Sequence, residues 1–178
     1  QETAYKALGD RDGAVVVMEV KTGKILALVS KPDFDPNTLA ERWDDIVSDE
    51  NSSVLLNRVT SGLYPPGSTF KIFTTLEYVH ENSNYQDYSF DCEGELNVDG
   101  NEIHCYHKAV HGKETLKDSF ANSCNTSFSN IGLSLDISGF RNLCEDMLFN
   151  KKLPGSLAGS KSSFTLTADA DKGKIMQT

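Results

Sequence analysis

No stretch of this sequence approaches the roughly 18 uninterrupted apolar residues of a membrane-spanning helix, and the start Gln1-Glu2-Thr3 is too polar for a signal peptide. Any anchor or secretion address is therefore expected outside these 178 residues. Positive charge is scarce as well: 17 lysines and arginines stand against 26 acidic residues, for a net charge of −9. With no basic patch to meet a phosphate backbone, nucleic acid is excluded as a partner. Cysteine is sparse. Cys92, Cys105, Cys124 and Cys144 supply neither the disulfide density of a secreted mini-protein nor a Cys-x-x-Cys zinc pattern. No cofactor and no metal are expected, and the cysteine count alone does not fix the redox compartment.

What remains is the composition of a folded chain. Apolar residues make up 38% and charged residues 24%, too apolar for disorder and too polar for a membrane span. The length suits one domain with its own core, or most of a larger one. Residues 14–20 and 25–29 are short apolar runs on either side of Lys21-Thr22-Gly23-Lys24, which predicts a β-hairpin. Pro32 and Pro36 end it, because neither can donate to a sheet ladder. Short helical turns are expected at 38–43 and 54–59. Tyr64-Pro65-Pro66-Gly67-Ser68 is a breaker, and after it Phe70, Phe73, Leu76 and Val79 recur at helical spacing until Asn82-Ser83-Asn84. Residues 90–105 read as short strands with Asp99-Gly100 as a turn. Two further helices are expected, one from the N-cap Thr115 to Ala121 and one after Asn125 with Phe128, Ile131 and Leu135 on one stripe. Residues 160–174 are small and polar and carry little signal.

Ser68 and Lys71 stand three apart at a helix start, so both side chains share one face. The positive end of the helix favours an alkoxide over a hydroxyl and a neutral amine over an ammonium, which makes Lys71 a usable base for a Ser68 nucleophile. Taken alone a Ser-x-x-Lys match is common, and the pair is more simply a capping serine beside a solvated lysine. Ser123 and Asn125 form a second polar cluster between two helical stripes. Residues two apart do not share a helix face, so both address one cleft only from an irregular turn. Ser123 would then relay a proton and Asn125 hold a substrate amide, the plain alternative being helix capping.

Together the two clusters match the Ser-x-x-Lys then Ser-x-Asn order of serine acyl-transferases. Residues 62–71, Gly-Leu-Tyr-Pro-Pro-Gly-Ser-Thr-Phe-Lys, resemble the first active-site motif of high-molecular-mass, class B penicillin-binding proteins, and residues 120–128 resemble the second. Residues 17–30, Pro32-Asp-Phe-Asp-Pro-Asn37 and Asn57-Arg58 resemble the strands and loop before that first motif. The resemblance implies an α/β (α+β) fold of the β-lactamase/transpeptidase type, a helical lobe packed on an antiparallel sheet with the active site between them. It implies a peptidoglycan D,D-transpeptidase: Ser68 is acylated by a D-alanyl-D-alanine stem peptide or a β-lactam, Lys71 takes its proton, and Ser123 and Asn125 complete the proton network and bind substrate. The Ser68 amide would be half of the oxyanion hole. Stem peptides, β-lactams and membrane proteins of cell-wall synthesis or division are the implied partners, at the extracytoplasmic face of a bacterial membrane. A β-lactam sensor, a serine β-lactamase or a D,D-carboxypeptidase share the same motifs.

The family's third motif, Lys-Thr-Gly or Lys-Ser-Gly, does not follow Asn125, and Lys21-Thr22-Gly23 precedes Ser68 in a turn. Residues 1–178 are thus expected to be a partial transpeptidase domain with an incomplete sheet, ending just before the family's next helix. Cys92 and Cys105 bracket a hairpin that a four-residue loop, 97–100, would close, setting them opposite each other for a disulfide unless they stay free thiols. Zinc on Cys92, Cys105, His107 and His111 would follow no known spacing. Cys124 reads as packing.

Overall fold

The structure, a computed structural model, describes residues 1–155 and 157–177. They form two compact units, residues 1–64 with 152–161 and residues 65–151 with those from 162 onward.

In the first unit a helix α1 (Glu2–Leu8) precedes the hairpin β1 (Gly13–Met18) and β2 (Ile25–Lys31), and a helix α2 (Trp43–Ser48) follows. The hairpin pairs Val15 with Val29 and Val17 with Ala27, as the two apolar runs predict. Gly23 takes a φ of +70° in the connecting turn. The Gln1 side-chain amide donates to the Leu28 carbonyl at 2.5 Å and accepts from its N–H at 2.8 Å, so it pairs with the backbone as a strand would. The expected helical turn at 38–43 is present: the Arg42 N–H donates to the Thr38 carbonyl at 3.1 Å, and the turn runs into the helix that starts at Trp43. At 54–59 there are turns and no helix. Beside both segments, side chains compete for backbone donors. Asp35 Oδ1 accepts from the Asn37 N–H at 2.9 Å, and Asn57 Oδ1 accepts from those of Val59 and Thr60 at 3.1 and 3.3 Å.

The second unit carries every residue expected at the site. A 3₁₀ turn at Gly67–Phe70 runs into α3 (Lys71–Glu81). Four short strands follow: β3 (Ser89–Cys92), β4 (Glu95–Val98), β5 (Asn101–His104) and β6 (Gly112–Thr115). β3 pairs antiparallel with β6, and β4 with β5. Helices α4 (Leu116–Ala121), α5 (Asn125–Ser134), α6 (Ile137–Asp146) and α7 (Lys172–Met176) complete it. This is the expected mixture of helices and antiparallel strands.

Three expectations need correction. The β4–β5 loop is two residues, not four: Asp99 and Gly100 have φ of +54° and +84°, the hairpin turn that reverses a chain fastest, and the ladder runs on to Val98 and Asn101. Cys92 is not on that hairpin but ends β3, opposite Gly112. On α3, Leu76 is 42% exposed while Thr74 and Glu77 are buried, because the face turned inward is the one that meets α6. Two helices of this unit were also missed, as was α1 in the first. Asp136 caps α6 by accepting from the Ser138 and Gly139 N–H groups, and Ile137, Phe140 and Cys144 are its buried stripe. Asp171 caps α7, so the chain already enters a helix at Lys172.

The core among the described residues has three clusters: Leu116, Phe128 and Ile131 form one, with Tyr78 and Tyr88 against it, and the other two differ sharply in composition. Phe70, Leu135, Ile137, Phe140, Cys144, Phe164 and Leu166 form an apolar cluster that Phe73 and Phe149 extend. Cys92, Cys105 and Cys124 form a second, with Phe90 against it. Helix α5 is buried nearly all round, and its small residues are what permit this: Ser129 Oγ donates to the Met176 carbonyl at 2.6 Å, and Gly132 lies against Ile175 of α7.

Candidate active site

Pro65-Pro66-Gly67 cannot continue a regular helix, and Gly67 has a φ of +56°, so the chain turns sharply into the 3₁₀ segment. That places Ser68 on the surface and Lys71 one turn later, half-buried, as the first residue of α3. The second cluster is fixed by the end of α4. There the Cys124 N–H donates to the Ser119 carbonyl at 2.9 Å and the Ser123 N–H to that of Phe120 at 3.2 Å. This is a Schellman motif, and its left-handed position belongs to Ser123 at a φ of +51°, where glycine is the usual residue. The irregular turn that the sequence required between Ser123 and Asn125 is therefore this helix C-terminus running straight into the next N-terminus.

The four residues meet. Ser123 Oγ donates to Ser68 Oγ at 2.9 Å. Lys71 Nζ donates to Ser123 Oγ at 3.0 Å, to the Ser123 carbonyl at 2.7 Å and to Asn125 Oδ1 at 2.7 Å. Among the described residues, the link from Ser68 to Lys71 therefore runs through Ser123. Asn125 is pinned from its other end by a 2.9 Å bond from Nδ2 to the His104 carbonyl at the end of β5. The sequence had no way to indicate that anchor, since a backbone carbonyl has no residue-type signature. Burial pushes the Lys71 pKa below its ordinary 10.5, opposed by the nearby Cys124 and Cys105 thiols. The Phe128 ring, 5.3 Å from Nζ, attracts the charged form.

A cleft of about 880 Å³ opens beside these groups, lined by Gly67, Ser68, Lys71, Asn125, Phe128, Ser163 to Thr167 and Lys174. A smaller one of about 310 Å³ lies between Ser68, Thr69, Ile72, Phe120 and Ser123. Ser68 and Lys71 line both, so a ligand can approach Ser68 from two sides.

Directly behind the Ser123 turn stand three thiols and an imidazole. Cys92 Sγ and Cys105 Sγ are 3.7 Å apart and unbridged. Cys124 Sγ, 3.7 Å from Cys105, accepts from the Ser127 N–H as the N-cap of α5. His111 Nδ1 lies 3.3 Å from Cys92 Sγ. The zinc set weighed from the sequence thus had three of these four residues. His107 is not the fourth: it takes a φ of +52° in an exposed 3₁₀ turn and its ring packs on Tyr106. Cys124 stands in its place. The sulfurs differ in acidity. Burial opposes ionisation of Cys92, but hydrogen bonds from Thr126 and His111 outweigh it and bring that thiol down to about 6. Burial drives Cys124 up to about 12.

An exposed serine linked by hydrogen bonds through a second serine to a half-buried lysine has the layout of a serine acyl-transferase constellation. The chain belongs to the penicillin-binding protein transpeptidase domain family, whose model matches residues 13–177. It is 35% identical over 147 residues to the peptidoglycan D,D-transpeptidase PbpA of Mycobacterium tuberculosis, covering 76% of this chain and 30% of that protein. Against the stage V sporulation protein D of Bacillus subtilis it is 33% identical over 150 residues, 83% of this chain and 22% of the relative. Among solved structures, the ceftriaxone acyl-enzyme of penicillin-binding protein A from M. tuberculosis superposes with a TM-score of 0.87 at 28% identity, over 98% of this chain and 43% of that one. The D,D-transpeptidase domain of a peptidoglycan glycosyltransferase from Eggerthella lenta gives 0.82 at 30% identity, over 92% and 39%. The fold is therefore that of penicillin-binding transpeptidase domains, and the chain spans about 30% of the length of the first curated relatives it matches.

Proposed function

We propose that this chain carries the acylating residues of a serine-type peptidoglycan D,D-transpeptidase. The observation that carries this reading is the hydrogen-bonded line Ser68–Ser123–Lys71 at the mouth of a cleft. Ser68 Oγ attacks the carbonyl of a D-alanyl-D-alanine peptide bond or of a β-lactam, passing its proton to Ser123 Oγ while the Ser123 proton moves to Lys71 Nζ. The three acceptors around Nζ match the three donors of an ammonium, the state reached once Ser68 has lost its proton. Burial pulls the other way, towards the neutral amine that begins the step. The same line returns a proton to the leaving amine. Asn125 uses one Nδ2 hydrogen on His104, and the other is available to a substrate carbonyl. The Ser68 N–H is one oxyanion donor. No Lys-Thr-Gly or Lys-Ser-Gly triplet follows Asn125 in these 178 residues. We therefore expect the 178-residue polypeptide by itself to acylate weakly, since loss of one oxyanion donor costs about 10²–10³ in rate.

In this reading the substrates are peptidoglycan stem peptides, β-lactams are inhibitors, and the site of action is the extracytoplasmic face of a bacterial membrane beside other proteins of wall synthesis. The test is labelling of the full-length protein with fluorescent penicillin. The label is expected on Ser68 by peptide mapping, as a persistent adduct, and lost in Lys71→Ala. Labelling of Lys71→Ala at the unmodified rate removes Lys71 from the mechanism, and rapid release of the label makes the protein a β-lactamase instead.

A further inference from the structure

Strand β6 turns one side chain inward, and it is a carboxylic acid. Glu114 is 1% exposed, while its three neighbours on the strand are not buried. Its partner across the ladder is Phe90 of β3, whose ring offers a carboxyl group no hydrogen bond. One carboxyl oxygen, Oε1, accepts from the Asn122 side-chain amide at 2.6 Å. The other, Oε2, is buried and accepts no hydrogen bond from a nitrogen or oxygen among the described residues. A half-satisfied buried carboxyl opposes folding, so stability does not explain its presence. What the bond to Asn122 supplies is direction. Asn122 is the C-cap of α4 and stands immediately before Ser123. Helix α4 has only six residues, too few to keep its shape unaided. Ser123 leaves it at a φ of +51°, a conformation that a side chain keeps only where its surroundings over-determine it. Glu114, placed by the β3–β6 ladder just before the helix begins, grips the residue just after it ends.

We propose that Glu114 is a positioning residue for the acylating line: through Asn122 it sets the direction of Ser123 between Ser68 and Lys71. This rests on the reading of Ser123 as the proton relay. Ser123 meets the line with its Oγ, 2.9 Å from Ser68 Oγ and 3.0 Å from Lys71 Nζ, and with its carbonyl, 2.7 Å from the same Nζ. A rotation at residues 122 and 123 therefore moves two of the three acceptors of Lys71 and the link to Ser68 together. Asn125 is spared, because the His104 carbonyl holds its amide from the end of β5. Loss of the Glu114 grip thus slows proton transfer without weakening the hold on substrate. A misplacement of about 1 Å costs up to about 10²-fold in rate, the lower end of the loss on removing a proton-transfer group outright.

The test is stopped-flow acylation of the full-length protein by a fluorescent penicillin, which separates the binding constant from the acylation rate constant. Glu114→Met keeps the length of the side chain and removes the acceptor. It is expected to lower the rate constant by about 10–10²-fold and to leave the binding constant within about twofold. Its stability in urea should equal or exceed that of the parent, since the half-satisfied carboxyl is gone; a purely structural role would lower stability and rate together. Glu114→Gln keeps a carbonyl oxygen for Asn122 and should restore most of the rate. Asn122→Ala should match Glu114→Met, and the two combined should be no slower than either alone, as for the two ends of one contact. If Glu114→Met does not fold, Asn122→Ala, at an exposed position, carries the same expectation. The proposal is overturned if folded Glu114→Met or Asn122→Ala acylates at the parent rate, if Glu114→Gln is as slow as Glu114→Met, or if the combined losses multiply. A parent protein that takes no label overturns the reading of Ser68 itself, whereas a labelled parent with unaffected variants removes the role of Glu114 alone.

Discussion

Ser68 and Lys71 stand on a core of rings, whereas Ser123 and Asn125 stand on a core of sulfur and hydroxyl. Phe70, between the first two, has its ring centroid 5.4 Å from Phe73, 5.9 Å from Phe140, 5.7 Å from Phe149 and 5.8 Å from Phe164. Such packing is non-directional and indifferent to pH or oxidant, with ring pairs adding about 0.5–1.5 kcal/mol each beyond their area. The three thiols behind the second pair bury little apolar surface by comparison. Their contacts depend on direction and protonation. The two halves of one hydrogen-bonded line are therefore held by forces that fail under different conditions, and perturbations can be chosen to break one half at a time.

The largest separation of effects is expected from Ser123→Gly. Glycine takes the left-handed position without the roughly 1–2 kcal/mol that a side chain costs there, offset by about 0.5–1 kcal/mol of extra unfolded-state entropy. Urea unfolding should thus show stability unchanged or slightly raised. Acylation by labelled penicillin in the full-length protein should fall by about 10²–10⁴, the range for a lost proton-transfer group. Parallel loss of stability and labelling would reduce Ser123 to a structural role.

The reverse is expected on the other side. Phe140 is 2% exposed and packs edge-on to Phe164, so Phe140→Ala should cost about 3–5 kcal/mol in urea unfolding. The number of thiols that react with a thiol reagent in the folded chain should not change. Exposure of Cys92, Cys105 or Cys124 with retained secondary structure would mean that the two clusters are coupled.

A smaller effect isolates the seam between α3 and α6. Glu77 is buried, and its Oε2 has no hydrogen-bond partner among the described residues. Burial, reinforced by the neighbouring Glu81, raises its pKa above the ordinary 4.5, with His80 partly compensating. A raised carboxyl pKa means that the folded chain holds the proton more tightly than the unfolded one. Stability is thus undiminished below the ordinary value and falls as pH rises from there through the folded value. Glu77→Gln keeps the shape of the neutral acid, so it should be more stable than the parent at neutral pH by on the order of 1 kcal/mol. Thermal melts from pH 4 to 8 should show that difference vanish at the acid end; a constant difference would mean that Glu77 does not titrate there.

The sequence carried the first half of the site better than the second. Ser68, Phe70 and Lys71 announce themselves through local rules, a proline-glycine breaker and then a helical period, and the hairpin through two apolar runs. Leu76 was misplaced because Thr74 and Glu77, polar residues that the period ignores, are the ones turned towards α6. The thiol cluster was only partly legible: Cys92, Cys105 and His111 could be weighed together, but Cys124 could not be joined to them, because the four come from β3, the end of β5, the start of β6 and the cap of α5. No two of them are close enough in sequence to form a motif, and only the strand pairing of Cys92 with Gly112 brings His111 to Cys92. The Ser123 turn was legible as a need for irregular backbone, but its Schellman geometry required knowing where α4 stops.

The smallest effect concerns how the two helices flanking that turn begin. Helix α4 starts with an oxygen cap. Thr115 Oγ1 accepts from the Asp118 N–H at 3.2 Å, and Asp118 Oδ2 accepts from the Thr115 N–H at 3.3 Å and its hydroxyl at 2.7 Å, a complete capping box. Helix α5 starts instead with the sulfur of Cys124, 3.5 Å from the Ser127 N–H, a weak acceptor where serine would be strong. Thr115→Ala should cost about 1 kcal/mol in urea, with no change in acylation per folded molecule. Loss of acylation at that modest cost would show that the Ser123 turn is held by the start of α4 and not by the cluster behind Cys124.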